Sequence, residues 1–123
     1  MKIFLTGGSG FIGKNFCKLA IKKNCYIYAP SRIKRKNKNH NLKWLKGDFD
    51  SDWKKELSSS NILVHLAASG LNSYNGGDVY DTNVFKSINL LNNAIKYKCK
   101  KWLIISTSSE YGLVKKDRLC KFT

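Results

Sequence analysis

The eight residues Thr6-Gly-Gly-Ser-Gly-Phe-Ile-Gly13 have the spacing in this chain best able to do chemistry. Within them, Gly8-x-Gly10-x-x-Gly13 fits a dinucleotide fingerprint. One glycine makes a tight turn, the next admits a pyrophosphate against bare backbone, and the last lets a helix lie close to a strand. The pattern works only between a strand and a helix, because the helix N-terminus then turns free N–H groups and its positive dipole end toward the phosphates. Both neighbours are legible. Residues 2–6 (KIFLT) form a short apolar run suited to a buried strand. Residues 11–23 place Phe11, Ile12, Phe16, Leu19, Ala20 and Lys23 at helical spacing, with Lys14, Lys18 and Lys22 opposite.

The rest of the chain alternates in the same way. Residues 25–29 (CYIYA) are β-rich and stop at Pro30, and residues 31–41 are polar and basic, a loop or an exposed short helix. Residues 42–45 fit a third strand, 50–57 a short helix capped by Asp50 or Ser51, 62–67 (ILVHLA) a fourth strand and 101–106 (KWLIIS) a fifth. The clearest helix covers 82–97, with Val84, Ile88, Leu91 and Ile95 on one stripe and Phe85 beside it. Strands separated by helices predict right-handed βαβ crossovers and a mainly parallel sheet of about five strands, an α/β, doubly wound fold. Ligands of such sheets bind beyond the carboxyl ends of the strands, here the turns after strands one, four and five.

Composition bounds the reading. A chain of 123 residues allows one domain, and 42% hydrophobic residues with 12% aromatics suffice for a packed core. No apolar run approaches the roughly 20 residues of a membrane span. The N-terminus lacks the apolar region and cleavage site of a signal peptide, so the expectation is a cytoplasmic protein. Cys17, Cys25, Cys99 and Cys120 form no C-x-x-C pair, and only His40 and His65 could join them, so no metal site or disulfide framework is expected. The formal net charge is +15, from 23 Lys+Arg against 8 Asp+Glu. Every acidic residue lies at or beyond Asp48, so residues 1–47 carry +12 of it. Such charge points first to nucleic acid. Yet Lys and Asn are abundant throughout, and the basic segment 32–46 holds Trp44 as its sole aromatic, a poor base-stacking surface.

Gly7-x-x-Gly10-x-x-Gly13 resembles the glycine motif of the extended short-chain dehydrogenase/reductases, the NAD(P)-dependent epimerase/dehydratase family that acts mostly on nucleotide sugars. Further matches follow in the family's order. Gly47-Asp48-Phe49 resembles the acidic-hydrophobic pair whose carboxylate meets the adenine amino group. His65-Leu66-Ala67-Ala68 resembles the turn after the fourth strand, where small residues bring the backbone close to the cofactor. Asn83 matches the family's helix asparagine, and residues 106–112 (STSSEYG) resemble the segment after the fifth strand. The resemblance implies a Rossmann-type domain over residues 1–123. It implies cofactor contacts from Gly7, Gly10, Phe11, Ile12, Gly13, Asp48, Phe49, Leu66, Ala67, Ala68 and Asn83. His65 is read as a turn or core histidine rather than a base.

Cofactor choice turns on the end of the second strand. No acid stands there to accept from a ribose 2′-OH, whereas Ser31 and Arg32, followed by Lys34, Arg35 and Lys36, suit a 2′-phosphate. NADP(H) is therefore favoured over NAD(H). For catalysis the family uses a Tyr, a Lys that lowers its pKa, and a Ser or Thr that orients the substrate oxygen. Thr107 aligns with that hydroxyl. The Tyr-x-x-x-Lys helix is expected beyond Thr123. Tyr111 and Lys115 have the letters, but Gly112 is unfavourable in a helix and Tyr111 matches the turn tyrosine instead. The expectation is a truncated, cofactor-binding chain, with a nucleotide-sugar site only where a missing half is supplied. Exposed apolar surface on helix 82–97 and on one sheet face would then serve a homodimer or a complementing polypeptide. A non-catalytic nucleotide-binding module, then a nucleic-acid-binding protein, are the other classes left open.

Overall fold

The apolar run Lys2–Thr6 forms strand β1 at the centre of a five-stranded parallel sheet in the order β3-β2-β1-β4-β5. The computed structural model describes residues 1–70 and 76–106. Around β1 lie β2 (Tyr26–Ser31), β3 (Leu42–Lys46), β4 (Ile62–His65) and β5 (Trp102–Ile104). Helix α1 (Phe11–Lys22) follows β1, α2 (Lys54–Ser59) follows β3, and α3 (Gly76–Tyr80) follows β4. A π-helical segment, Asp81–Lys86, joins α3 to α4 (Ser87–Lys96) without a break.

Side-chain alternation along β1 builds two cores, one on each face of the sheet. Ile3 and Leu5 pack with Cys17 and Ala20 of α1 and with Ile27, Ala29 and Val64. Phe4 faces the other way, against Leu57 of α2, Leu90, Ala94 and Tyr97 of the α4 region, and Leu45, Phe49 and Leu63. Helices thus cover both faces, the doubly wound arrangement expected.

Several boundaries differ from the sequence reading. Strand β2 runs through Pro30 instead of stopping before it. The β1 ladder ends at Phe4↔Tyr28, and Pro30 pairs only with Leu45 of β3, so its missing N–H breaks no ladder bond to β1. Strand β4 stops at His65, because the chain turns there toward the site. Helix α2 starts at Lys54 with no side-chain cap, not at residue 50. The Asp50 carboxylate instead accepts from Asn89 and its backbone carbonyl from Asn93, Asp52 accepts from the Tyr97 hydroxyl at 2.5 Å, and the Trp53 indole N–H donates to the Asp48 carbonyl at 2.9 Å. These tertiary bonds replace capping. Residues between β2 and β3 contain no helix.

Helix 82–97 is also more complex than its pattern. The buried face holds Leu90, Ala94 and Tyr97, while Ile88 and Ile95 of the expected stripe are exposed. The helix is apolar on more than one side, and only one side meets the sheet. Apolar exposure is present on the helix where expected, at Phe85, Ile88 and Ile95, while Trp102, Leu103 and Ile104 in succession leave β5 exposed on both faces of the sheet instead of one. Cys17, Cys25 and Cys99 are free, buried thiols, and burial pushes Cys17 up to about 11. Among the described residues no helix is long and apolar enough to cross a membrane.

Candidate functional site

After Thr6 the chain reverses at Gly7, whose φ of 70° is a left-handed value that glycine adopts without strain. The Gly10 N–H donates to the Gly7 carbonyl at 3.0 Å, and the Lys14 N–H donates to the Gly10 carbonyl at 3.0 Å, so turn and helix are continuous. A Cβ on Gly7 would lie 2.7 Å from the Ala67 nitrogen. A Cβ on Gly13 would collide with the Gly7 carbonyl oxygen and lie 2.6 Å from the Gly8 Cα. The turn, the start of α1 and the end of β4 are thus packed backbone on backbone. Gly10 differs, since its Cβ would meet only the Gly7 oxygen, at 3.3 Å. Its bare surface faces the cleft, and α1 begins without a side-chain cap or an acidic first turn. That bare cradle, with first-turn N–H groups beside it, suits the phosphates of a dinucleotide.

The cleft holds about 520 Å³ and runs across the carboxyl ends of β1 to β4, within the roughly 300–1,000 Å³ usual for small-molecule sites. Gly7, Gly10, Phe11, Ile12 and Gly13 line it from the glycine turn. Ser31 and Arg32 line it at the end of β2, and Asp48 and Phe49 at the end of β3. Leu66, Ala67 and Ala68 line it after β4. Asn83 is the exception among the expected contacts. Its side chain accepts from the Ser69 N–H at 2.8 Å and donates to the Ser69 carbonyl at 3.1 Å, so it fixes the loop after β4 instead of lining the cleft. Thr107, Tyr111, Lys115 and Cys120 lie outside the described residues.

His65 sits beneath the cleft in a closed hydrogen-bond chain. The Ala67 N–H donates to Thr6 Oγ1 at 3.1 Å, and Thr6 Oγ1 lies 2.6 Å from His65 Nδ1. His65 Nε2 lies 2.9 Å from Ser87 Oγ, which donates to the Thr82 carbonyl. With that hydroxyl proton committed, Ser87 accepts from Nε2–H, and Nδ1 accepts from the Thr6 hydroxyl. The network therefore assigns the neutral Nε2–H tautomer. Burial holds the imidazole below its usual pKa, in the same direction. The histidine ties β1, β4 and α4 together, the structural role read from sequence.

Two basic residues that shape the cleft walls escaped the sequence reading in role or altogether. Arg35 donates from Nε to Ser31 Oγ at 3.1 Å and lies over the Trp44 ring, 5.2 Å from its centroid, which pre-orders its guanidinium at the end of β2. Lys86 Nζ lies 2.8 Å from Asp48 Oδ2 and 3.4 Å from Asp81 Oδ2. Asp48 Oδ1 accepts from the Phe49 N–H at 2.8 Å. Bonds from Lys86 and Phe49 hold Asp48 below the usual carboxylate range against the opposing effect of burial, and Lys86 is raised in turn. No sequence signal points to Lys86, because its reach depends on where the π-helical segment ends.

A parallel sheet whose order reverses direction beside β1, with a glycine turn at that switch, defines a dinucleotide-binding α/β domain. Residues 3–121 match the model of the NAD dependent epimerase/dehydratase family, and the chain belongs to that family. It is 31% identical over 122 residues to CDP-abequose synthase of Salmonella typhimurium, covering 94% of this chain and 40% of that protein. It is 29% identical over 132 residues to bifunctional UDP-glucose 4-epimerase and UDP-xylose 4-epimerase 1 of Pisum sativum, covering 90% of this chain and 38% of that protein. The fold superposes on UDP-glucuronic acid 4-epimerase from Bacillus cereus in complex with NAD, with a TM-score of 0.79 and 25% identity over 94% of this chain and 43% of that one. For dTDP-glucose 4,6-dehydratase from Bacillus anthracis, also in complex with NAD, the TM-score is 0.75 at 27% identity, covering 94% and 40%. The chain spans about 40% of the length of these relatives.

Proposed function

We propose that residues 1–123 are the dinucleotide-binding domain of a nucleotide-sugar epimerase, dehydratase or reductase, and that this stretch binds cofactor without completing the active site. The carrying observation is the cleft across β1 to β4, with its bare glycine cradle and close-packed Gly7–Ala67 backbone. In the proposed roles, Gly7, Gly10, Phe11, Ile12 and Gly13 hold the pyrophosphate, Asp48 and Phe49 the base, and Leu66, Ala67 and Ala68 the backbone wall beside the second nucleoside. Asn83 supports that wall through Ser69. A bound nicotinamide would supply hydride chemistry at a sugar carbon. Thr107 is the proposed substrate-orienting hydroxyl, with Tyr and Lys partners from further sequence or another polypeptide. The exposed Phe85, Ile88 and Ile95 face offers a docking surface for such a partner or a second copy. Free, buried thiols accord with a reducing cytoplasm.

The cofactor is proposed to be NADP(H) rather than NAD(H). Ser31, Arg32 and Arg35 line the cleft at the end of β2, where no carboxylate stands to accept from a ribose 2′-OH. Titration of the 123-residue chain with NADPH and NADH tests both statements. Gly10→Glu should abolish binding, and Arg32→Ala should weaken NADPH by about tenfold or more while changing NADH little. Binding of neither dinucleotide would sink the reading. Equal losses for the two on Arg32→Ala would remove the NADP preference alone.

A further inference from the structure

We propose that the outer edge of β5 pairs with the same edge of a second copy of this chain, antiparallel and centred on Leu103. This surface is separate from the cleft, and its pairing does not depend on the cofactor reading. Of the two edges of the sheet, one is guarded and the other is not. Strand β3 carries exposed Lys43 and Lys46, charges that keep an edge from pairing with its copy. Strand β5 has no charged residue, and Trp102, Leu103 and Ile104 are 42%, 45% and 45% exposed. Among the described residues no strand lies outside it.

The hydrogen bonds to β4 fix which backbone groups remain. The Leu63 N–H donates to the Lys101 carbonyl at 2.9 Å, and the Ile105 N–H donates to the His65 carbonyl at 3.2 Å. Residues 101, 103 and 105 thus turn toward β4, and by alternation Trp102 and Ile104 turn their N–H and C=O groups outward. Identical edges related by a two-fold axis run antiparallel, with one residue opposite itself. With Leu103 on the axis, Trp102 of each copy meets Ile104 of the other as a hydrogen-bonded pair, which closes four backbone bonds. Trp102 registers with Leu63 and Leu103 with Val64, so the aromatic and β-branched pairs lie on the α4 side of the sheet and the two leucines on the α1 side. The Trp102 indole N–H donates to the Cys99 carbonyl at 2.5 Å, which orders that ring in advance.

Charge selects the same edge. Residues 1–47, which supply +12 of the net charge, build β1, α1, β2 and β3, all on the far side of β4 from this edge. Pairing through β5 therefore keeps the two basic thirds apart. Lys101 comes to lie opposite Ile105, and about 14 Å along the strand from its own copy, beyond the Debye length of about 8 Å at physiological salt. Residues 102–105 expose roughly 400 Å² in each copy, half the roughly 800 Å² per partner of a standard interface, so the dimer is a weak one with a Kd of about 10–100 μM.

Analytical ultracentrifugation of the 123-residue chain tests association, and cysteine cross-linking tests the register. The wild type should pass from monomer to dimer as its concentration rises through that range. Leu103→Lys sets two ammonium groups face to face and should weaken the dimer by about tenfold or more. In a Cys120→Ser background, Leu103→Cys should form a disulfide-linked dimer under oxidation by copper phenanthroline. Trp102→Cys and Ile104→Cys should each fail to cross-link alone and should cross-link when mixed. The cysteine at position 103 stays small and apolar, so the register is read even where the lysine variant folds poorly. A chain that stays monomeric at about 100 μM overturns the proposal and leaves the edge to a partner of different sequence. A dimer unmoved by Leu103→Lys, or one that Leu103→Cys does not cross-link, overturns it in favour of another surface, such as the Phe85, Ile88 and Ile95 face. Growth beyond the dimer also overturns it, because a two-fold edge pair closes on itself.

Discussion

Thr6→Val removes one oxygen at the junction where β1, β4 and the cleft meet, and nearly nothing else. Thr6 is fully buried, and valine fills almost the same space, so no cavity opens. The hydroxyl makes two bonds, one to His65 Nδ1 at 2.6 Å and one from the Ala67 N–H at 3.1 Å. Without it, Nδ1 becomes a buried acceptor lacking a donor, which costs about 1–3 kcal/mol, and the half-buried Ala67 N–H loses about 1 kcal/mol more. The added methyl returns about 0.8 kcal/mol of burial. The net loss is about 1–3 kcal/mol, a drop in Tm of roughly 4–12 °C for a domain of this size. Urea denaturation followed by circular dichroism measures it directly. Thr6→Ser is the internal control, because it keeps both bonds and gives up only a methyl, about 1 kcal/mol. A Thr6→Val protein within 0.5 kcal/mol of wild type would refute the argument. So would a Thr6→Ser protein that loses as much as the valine variant.

The same network predicts a pH dependence with a definite sign. Burial keeps the folded His65 pKa below its ordinary value, so the unfolded chain binds a proton first as pH falls through about 6.5. Stability should be complete above that pH and decline on acidification until the folded imidazole itself protonates, with a slope of at most about 1.4 kcal/mol per pH unit. His65→Gln should flatten this slope between pH 7 and 5, whatever its effect at neutral pH, and an unchanged slope would assign the acid sensitivity elsewhere. At the glycine turn, Gly13→Ala should cost about 2 kcal/mol or more even though alanine favours a helix by about 1 kcal/mol, because its Cβ meets unyielding backbone. Gly8→Ala faces only side-chain atoms at 3.3 Å and beyond and should stay within about 1 kcal/mol of wild type. Thermal melts that rank the two variants in the opposite order would contradict the packing described.

What sequence alone could reveal divides along local and tertiary lines. The glycine turn, β1 and the small residues after β4 were legible because their function lies in backbone approach, and backbone approach is written in residue size over short spans. All the expected contacts on those segments line the cleft. The start of α2 was not legible, because the Asp50 and Asp52 carboxylates accept from Asn89 of α4 and from Tyr97 far along the chain instead of capping their own helix. Asn83 shows the limit differently: a cofactor contact was expected of it, but its amide is spent on Ser69. Pairing of Lys86 with Asp48 joins residues 38 positions apart across a change of helical pitch, and no periodicity announces it.

The central place of β1 in the sheet also orders events in folding. It is the first strand of the chain, yet one of its two ladders waits for β4, whose pairing residues stand 59 positions later. The ladder to β2 closes a loop less than half as long, so its closure entropy is smaller by roughly 0.6 kcal/mol or more. During synthesis β1 can meet α1 and β2 early, while its other edge stays open until residue 65 has emerged. The strand that carries the glycine turn is therefore half assembled first, and the wall formed by Ala67 closes on it last.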